Sequence, residues 1–217
     1  MSIENNLDKI MASKSNTITL VAVTKHRTVD EIQRVVDYGV LDLGENKVQE
    51  LLDKYEKIKG EVRWHLIGHL QTNKVKYIID KVHLIHSVDS LKLAKEINLQ
   101  GIKREIVMKI LIQVNVSREE SKFGIDINDI ESFLDSIKDF EGLSVQGFMT
   151  MAPYTENIEE TRHVFRNLHD FCDKIKSKQS LYTNVDINFL SMGMTNDYPI
   201  AIEEGSNLVR IGRGIFV

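Results

Sequence analysis

The chain has 217 residues, with 28 lysines and arginines against 32 aspartates and glutamates, a formal net charge of −4 and 42% hydrophobic residues. This charge balance excludes nucleic acid and anionic membranes as bulk partners, and the composition is that of a folded protein. The single cysteine, Cys172, excludes an internal disulfide. Because residues 1–6 also lack the features of a signal peptide, we expect a cytoplasmic protein.

Short runs rich in β-branched residues alternate with amphipathic stretches along the whole chain, which is typical of parallel βα units. Eight such runs close a barrel of the (β/α)8 TIM type, and we expect one domain over residues 1–217. An open doubly wound sheet is the alternative, because periodicity does not distinguish an open sheet from a closed one. The predicted strands are 17–24, 40–43, 62–67, 82–86, 107–116, 143–149, 186–190 and 208–211.

The first helices carry recognisable start and stop signals. Thr28 and Glu31 have the spacing of a capping box, and Gly39 stands where a helix of this length ends. The same pattern predicts a second helix, with Asn46 as its N-cap and Gly60 at its end.

Two further helices are predicted from apolar spacing. Residues 157–176 form the longest, with a stripe that makes Cys172 a core residue rather than a nucleophile. The stripe consists of Ile158, Phe165, Leu168, Cys172 and Ile175. Segment 2–11, with Ile3, Leu7, Ile10 and Met11 on one face, is expected to cover the gap after the eighth strand, where we predict no helix.

Lys25 follows the first predicted strand, and chemistry in a βα barrel lies at the carboxyl ends of the strands. At the rim of a desolvated interior, burial favours the neutral amine over the ammonium, and a neutral amine can form a Schiff base. The alternative is a lysine that ends a strand and extends into solvent.

Small and polar residues follow the last two strands, where barrels frequently bind phosphate. Ser191 and Gly193 follow the seventh strand, and Gly212 follows the eighth. Arg210 is the charged candidate to point inward from the eighth strand, with a salt bridge to Glu203 or Glu204 as the alternative. An amine opposite a phosphate cradle suits a phosphorylated aldehyde, of which pyridoxal phosphate is the common one.

The histidines do not predict a metal site. His65 and His69 are separated by about 13 Å if their segment is a strand, so they cannot share one ion. His83 and His86 lie three apart in another predicted strand and are expected to face opposite sides.

The chain resembles the pyridoxal phosphate homeostasis proteins, which are single-barrel relatives of the N-terminal domain of alanine racemase. The resemblance spans nearly the whole sequence. It is carried by residues 20–25 (LVAVTK), 44–50 (GENKVQE), 64–74 (WHLIGHLQTNK), 147–151 (GFMTM), 190–197 (LSMGMTND) and 209–212 (VRIG).

The resemblance implies that Lys25 holds pyridoxal phosphate as a Schiff base. It also implies that Asn46 lines the exposed face of the cofactor ring and that Met149 packs beside the ring. Lys122 matches a basic residue near the cofactor.

The resemblance further implies that Ser191 and the backbone of Met192 bind the phosphate. Arg210 resembles the arginine at the pyridine nitrogen, and Gly212 and the N–H of Arg213 resemble the rest of the phosphate cradle. Arg213 departs from the family, which usually has a small residue at this position.

The resemblance implies a monomeric carrier or buffer of pyridoxal phosphate, with pyridoxal-phosphate-dependent apoenzymes as the candidate recipients. We expect no robust turnover, because racemisation needs a base on each face of the substrate and we predict no second domain to supply one opposite Lys25. A weak amino-acid racemase with Lys25 as the only base is one alternative. A Schiff-base aldolase acting on a sugar phosphate is the other.

Overall fold

A computed structural model describes residues 2–15, 17–117, 123–153 and 155–217. Eight parallel strands, each paired with the next along the chain, close into a barrel where the last strand pairs with the first. This closure confirms the predicted (β/α)8 barrel and excludes the open sheet. The strands are β1 Thr19–Val23, β2 Asp42–Glu45, β3 Arg63–Leu66, β4 Leu84–Val88, β5 Met108–Asn115, β6 Leu143–Met149, β7 Val185–Ser191 and β8 Leu208–Ile211.

Helices cover the outside of the barrel, and a two-residue strand, Ile125–Asp126, adds to the end of β5. All eight predicted strands are present, with bounds that differ by at most two residues. The helices are α1 Ile3–Ala12, α2 Val29–Asp37, α3 Val48–Tyr55, α4 Val75–Ile78, α5 Leu91–Lys103, α6 Ile130–Ile137, α7 Ile158–Lys176, α8 Tyr198–Glu203 and α9 Arg213–Phe216.

The apolar core has two parts because side chains alternate along each strand. In β1, Leu20 and Ala22 belong to the large cluster between the barrel and its helices. Val21 points the other way, into a small cluster inside the barrel. Since both faces of the sheet are covered, β1 is a nearly continuous apolar run, with four of its five residues buried.

The start of α2 confirms the predicted capping box. The Glu31 N–H donates to Thr28 Oγ1 at 3.3 Å, and the Thr28 N–H donates to Glu31 Oε2 at 2.8 Å. Gly39 follows the last turn with φ of +109°, a conformation that favours glycine. The chain then enters β2.

The predicted bounds of the next helix are wrong. Its N-cap is Lys47, which makes no side-chain capping bond, and α3 ends at Tyr55, before Gly60. Asn46 instead lies in the bend after β2. Its backbone packs closely against Gly68, where an added Cβ would lie 2.3 Å from the Asn46 carbonyl oxygen.

Helix α7 begins and ends as predicted. The Asn157 side chain accepts a hydrogen bond from the Glu159 N–H at 3.1 Å, and Cys172 is buried in the core with Phe165, Leu168 and Ile175. Burial raises the pKa of the Cys172 thiol to about 11. Ile158 is 59% exposed, so its predicted place in the core is wrong, because the first turn of α7 lies at the mouth of a cavity.

Helix α1 packs against α2 and α9, so it covers the side of the barrel after β8 as expected, with Ile3, Leu7 and Ile10 buried and Met11 exposed. The Asn6 amide donates to the Ile215 carbonyl at 3.0 Å, which fastens α1 to α9. The short helix α9 contradicts the expectation of no helix after the eighth strand. Among the helices of the described residues, none combines the length and hydrophobicity needed to span a membrane.

Candidate functional site

A cavity of about 330 Å³ lies at the carboxyl ends of β1, β6, β7 and β8. Lys25 borders it from the turn after β1, and Arg210 borders it from within β8. The remaining lining comes mainly from the segments after β6, β7 and β8 and from the first turn of α7: Val23, Ala152, Pro153, Thr155, Ile158, Thr161, Met194, Thr195, Asn196, Asp197, Ile200, Gly212 and Arg213. This is where βα barrels bind their ligands.

The cavity is electropositive. Its described lining residues include three cationic side chains, Lys25, Arg210 and Arg213, and one acidic residue, Asp197. Burial raises the pKa of Asp197, opposed by a hydrogen bond from the Met194 N–H and by the charge of Arg210. The surplus of positive charge favours an anionic ligand.

Arg210 is a buried cation that binds neutral acceptors. Its Nη1 donates to the Ser191 carbonyl at 2.8 Å and to Ser191 Oγ at 2.5 Å, and its Nη2 donates to the Thr150 carbonyl at 2.9 Å. Burial lowers its pKa to about 10, and the charge of Asp197 opposes this.

The alternative salt bridge of Arg210 with the end of α8 is not formed. Glu204 instead accepts from Arg162 at 2.7 Å and from Arg166 at 2.9 Å, and Glu203 accepts from Arg162 at 2.7 Å. Arg210 therefore keeps its place inside the barrel, next to the cavity.

Lys25 lines the cavity but is exposed, so the expectation that it is buried is wrong. The buried segment that contains β1 ends one residue after the strand, at Thr24. The chain then turns away at Lys25 and His26, and His26 has φ of +60°. The amine is therefore accessible from solvent as well as from the cavity.

A buried ion pair beneath Lys25 holds the end of β1. Lys54 Nζ donates to Glu45 Oε1 at 2.6 Å and to the Thr24 carbonyl at 2.8 Å, and Thr24 Oγ1 also donates to Glu45 Oε1 at 2.6 Å. This pair was missed by the sequence analysis. The available signal was the position of Lys54 one turn after Leu51, on the buried face of α3.

The structure does not bring Ser191 and Met192 to the cavity lining. Ser191 is fully buried at the end of β7, and the Met192 N–H donates to the Leu208 carbonyl at 3.2 Å. The chain reaches the cavity after Gly193, where a φ of +94° changes the direction of the backbone. A Cβ at this position would lie 2.6 Å from the Ala201 Cβ.

Thr195 provides a hydroxyl that the sequence analysis did not assign. It lines the cavity, and its Oγ1 accepts a hydrogen bond from the Gly214 N–H at 3.2 Å. The bond joins the segment after β7 to the segment after β8, where Gly212 and Arg213 also line the cavity. Thr195 lies within the segment 190–197 on which the family resemblance partly rests, and that segment was the signal.

Two predicted cofactor contacts lie elsewhere. Met149 is buried inside the barrel in a cluster with Val21 and Leu208, and it does not line the cavity. Asn46 borders a second cavity of about 480 Å³, between α3 and the segment after β3. Lys122 lies outside the described residues.

Comparisons with known proteins agree with this architecture. The model of the family "Alanine racemase, N-terminal domain" matches residues 1–217. A pyridoxal phosphate homeostasis protein of Aquifex aeolicus (strain VF5) is 41% identical over 93% of this chain and 87% of its own length. One from Haemophilus influenzae is 33% identical over 100% of this chain and 95% of its own.

Solved structures extend the likeness to three dimensions. PipY of Synechococcus elongatus PCC7942, solved with PLP bound, superposes with a TM-score of 0.91 at 27% identity over 100% of both chains. Alanine racemase of Clostridium difficile 630 superposes with a TM-score of 0.83, covering 99% of this chain and 56% of its own, and at 14% identity it shares the fold alone. The chain therefore belongs to the pyridoxal phosphate homeostasis proteins, within the wider family of alanine racemase N-terminal domains.

Proposed function

We propose that this chain binds pyridoxal phosphate in the cavity at the carboxyl ends of the strands, held as a Schiff base on Lys25. It acts as a monomeric single-domain carrier or buffer in intracellular pyridoxal phosphate homeostasis, without robust catalytic turnover. The observation that carries the proposal is the placement of Lys25 and Arg210 on one electropositive cavity. The names of the homeostasis proteins and the PLP-bound structure of PipY support the same ligand.

The residues present fit a phosphorylated aldehyde. Gly212 lines the cavity and packs closely against Val23, so that an added Cβ would lie only 3.3 Å from the Val23 Cβ. The Thr195 hydroxyl and the Arg213 side chain border the same cavity and suit a phosphate dianion. In this assignment Thr195 takes the hydroxyl role first expected of Ser191.

Lys25 supplies the covalent link. In its unprotonated form the Lys25 amine would attack the aldehyde carbon of pyridoxal phosphate, a C–N bond would form, and the carbonyl oxygen would leave as one molecule of water. Because Lys25 is exposed, water and incoming amines reach the link and reverse it. A site that releases its ligand in this way suits a carrier, whereas catalytic sites exclude water.

Arg210 limits what the bound group can do. Pyridoxal phosphate supplies an electron sink when its ring nitrogen is protonated. A guanidinium donates to that nitrogen and does not protonate it, which weakens carbanion chemistry. The buried position of Arg210 therefore favours storage over turnover.

The absorbance spectrum of the purified protein with pyridoxal phosphate tests the proposal. We expect an imine band that borohydride bleaches, with the mass of the reduced cofactor fixed to Lys25. The variant Lys25→Ala should lose the band and keep much of the affinity, since the phosphate contacts remain. The matched control Lys47→Ala, at an exposed lysine on the second cavity, should keep both.

Other results would contradict specific parts of the proposal. An imine band retained in Lys25→Ala would place the link on another lysine, and absence of binding would refute the ligand. Exchange of the α-deuterium of labelled alanine at rates typical of enzymes would establish a racemase instead. Cleavage of a sugar phosphate by a protein that does not bind pyridoxal phosphate would establish an aldolase.

A further inference from the structure

A chain of buried polar side chains crosses the barrel interior, from the start of β2 to the cavity. Asp42 Oδ1 lies 2.9 Å from His65 Nε2, and His65 Nδ1 lies 2.9 Å from His86 Nε2. His86 Nδ1 lies 3.0 Å from Ser191 Oγ, to which Arg210 donates at 2.5 Å. All five residues are buried.

The histidines of this chain were expected to behave differently. His83 and His86 were predicted to face opposite sides of a strand, but β4 begins only at Leu84. The ring of His83 lies 5.7 Å from that of His65, and the ring of His86 lies 5.1 Å from it. The rings of His83 and His86 therefore both contact the buried ring of His65.

The two ends of the chain fix the direction of its hydrogen bonds. Arg210 can only donate. Burial raises the pKa of Asp42, but hydrogen bonds from His65 and Arg63 outweigh burial and bring it to about 2. At neutral pH Asp42 is a carboxylate that can only accept, so every group between the ends must donate toward Asp42.

The middle of the chain satisfies this direction with two neutral imidazoles. His65 and His86 each carry their hydrogen on Nε2, and Ser191 donates its hydroxyl hydrogen to His86 Nδ1. Burial lowers the pKa of His86 well below its usual value, and the charge of Arg210 acts in the same direction. In the reverse direction, the hydrogen of Ser191 Oγ would have no acceptor among its partners in the described chain, since both would donate to it.

We propose that Asp42, His65, His86 and Ser191 are positioning residues that hold the guanidinium of Arg210 as a hydrogen-bond donor toward the ring nitrogen of the cofactor. This inference rests on the proposed function. Arg210 is a buried cation with no direct carboxylate partner among the described residues. The series of hydrogen bonds connects it through polarised groups to the carboxylate of Asp42. In this arrangement the Ser191 hydroxyl accepts a hydrogen bond from Arg210 and donates one to His86.

The first test needs no cofactor. Nitrogen-15 NMR of the imidazoles in the purified protein at pH 7 should show His65 and His86 as neutral rings protonated on Nε2, assigned by the loss of signals in His86→Gln. A His86 ring protonated on Nδ1, or doubly protonated, would overturn the proposed direction of the chain. This result judges the chain even if pyridoxal phosphate does not bind.

The second test uses pyridoxal phosphate labelled with nitrogen-15 in the ring. His86→Leu removes both contacts of the imidazole, and we expect a shifted ring-nitrogen signal and binding weakened about tenfold. His86→Gln keeps one donor and one acceptor without a titrating ring, so it should restore the signal and bring affinity to within about threefold of the original. The matched control His83→Leu, which contacts His65 outside the chain of bonds, should change neither.

An unchanged ring-nitrogen signal in folded His86→Leu would overturn the proposal, as would a His86→Gln variant that matches His86→Leu in both measurements. If His86→Leu does not fold, Ser191→Ala cuts the chain between His86 and Arg210 with a smaller change. The ring-nitrogen signal should then shift, and an unchanged signal would overturn the proposal. If pyridoxal phosphate does not bind the original protein, the proposed function fails, and the imidazole spectra still decide the direction of the chain.

Discussion

Replacing Lys54 with methionine tests the ion pair beneath Lys25. The change shortens the unbranched side chain by one atom and removes the charge that pairs with Glu45, whose side chain is 0% exposed. Glu45 Oε1 would keep only the Thr24 hydroxyl, and Oε2 already lacks a hydrogen-bond partner among the described residues. Because breaking a buried pair leaves an uncompensated charge, we expect Lys54→Met to lower the free energy of unfolding by about 3–5 kcal/mol.

Urea unfolding followed by circular dichroism measures this loss. With a urea dependence of about 3 kcal/mol per M, the midpoint should fall by about 1–1.7 M. The double variant Lys54→Met with Glu45→Gln, which removes the unpaired charge, should recover most of the difference. Arg34→Met, which breaks the exposed pair with Glu4, is the matched control and should leave the midpoint nearly unchanged. A midpoint of Lys54→Met equal to that of Arg34→Met would refute the reasoning.

Three further predictions concern the fold. Gly147→Ala should prevent folding or sharply lower the melting temperature, because a Cβ would lie 1.8 Å from the Phe189 carbonyl oxygen. Gly39 also has a positive φ, but an added Cβ would meet nothing within 4 Å, so Gly39→Ala should lower the melting temperature much less. Burial raises the pKa of Cys172 to about 11, so a thiol reagent at pH 8 should label it only as fast as the protein opens. Burial raises the pKa of Asp42, but hydrogen bonds outweigh burial and lower the pKa from the usual 3.8 to about 2. The ionised Asp42 therefore stabilises the folded state above pH 4, and this stability is lost as the pH falls toward 2. Unfolding free energies measured across this range should drop by about 2 kcal/mol more in the original protein than in Asp42→Asn.

The barrel could be predicted from the sequence because its signals are local. Each strand is a short apolar run and each helix has its own stripe, so the number and order of the elements follow from neighbouring residues. The errors lie at the ends of elements. The local pattern predicts Asn46 as an N-cap because asparagine favours that position, but the packing of Gly68 against its backbone is a tertiary contact that the local pattern does not contain.

The candidate site was predicted where its residues lie in the last strand or directly follow a strand. Lys25, Arg210, Gly212 and Arg213 all line the cavity. Met149 and Ser191 are paired at the last position of β6 and β7, and neither lines it. The cavity lining begins about three residues later on each segment, at Ala152 and Met194. Since a strand rises about 3.3 Å per residue, the rule that ligands bind at strand ends locates a site along the chain only to within about 10 Å.

The chain of polar groups inside the barrel could not be predicted from the sequence alone. His65 and His86 carry no motif, and taken separately they gave only an argument against a metal site. What joins them is the pairing of β3 with β4, which places His65 beside Leu84. His86 then meets Ser191, 105 residues away, only because the sheet closes on itself. Each of these buried polar groups needs a hydrogen-bond partner, and closure of the barrel brings the partners together. The direction of the hydrogen bonds therefore follows from the fold and from the charges of Asp42 and Arg210, and no single segment of the sequence contains it.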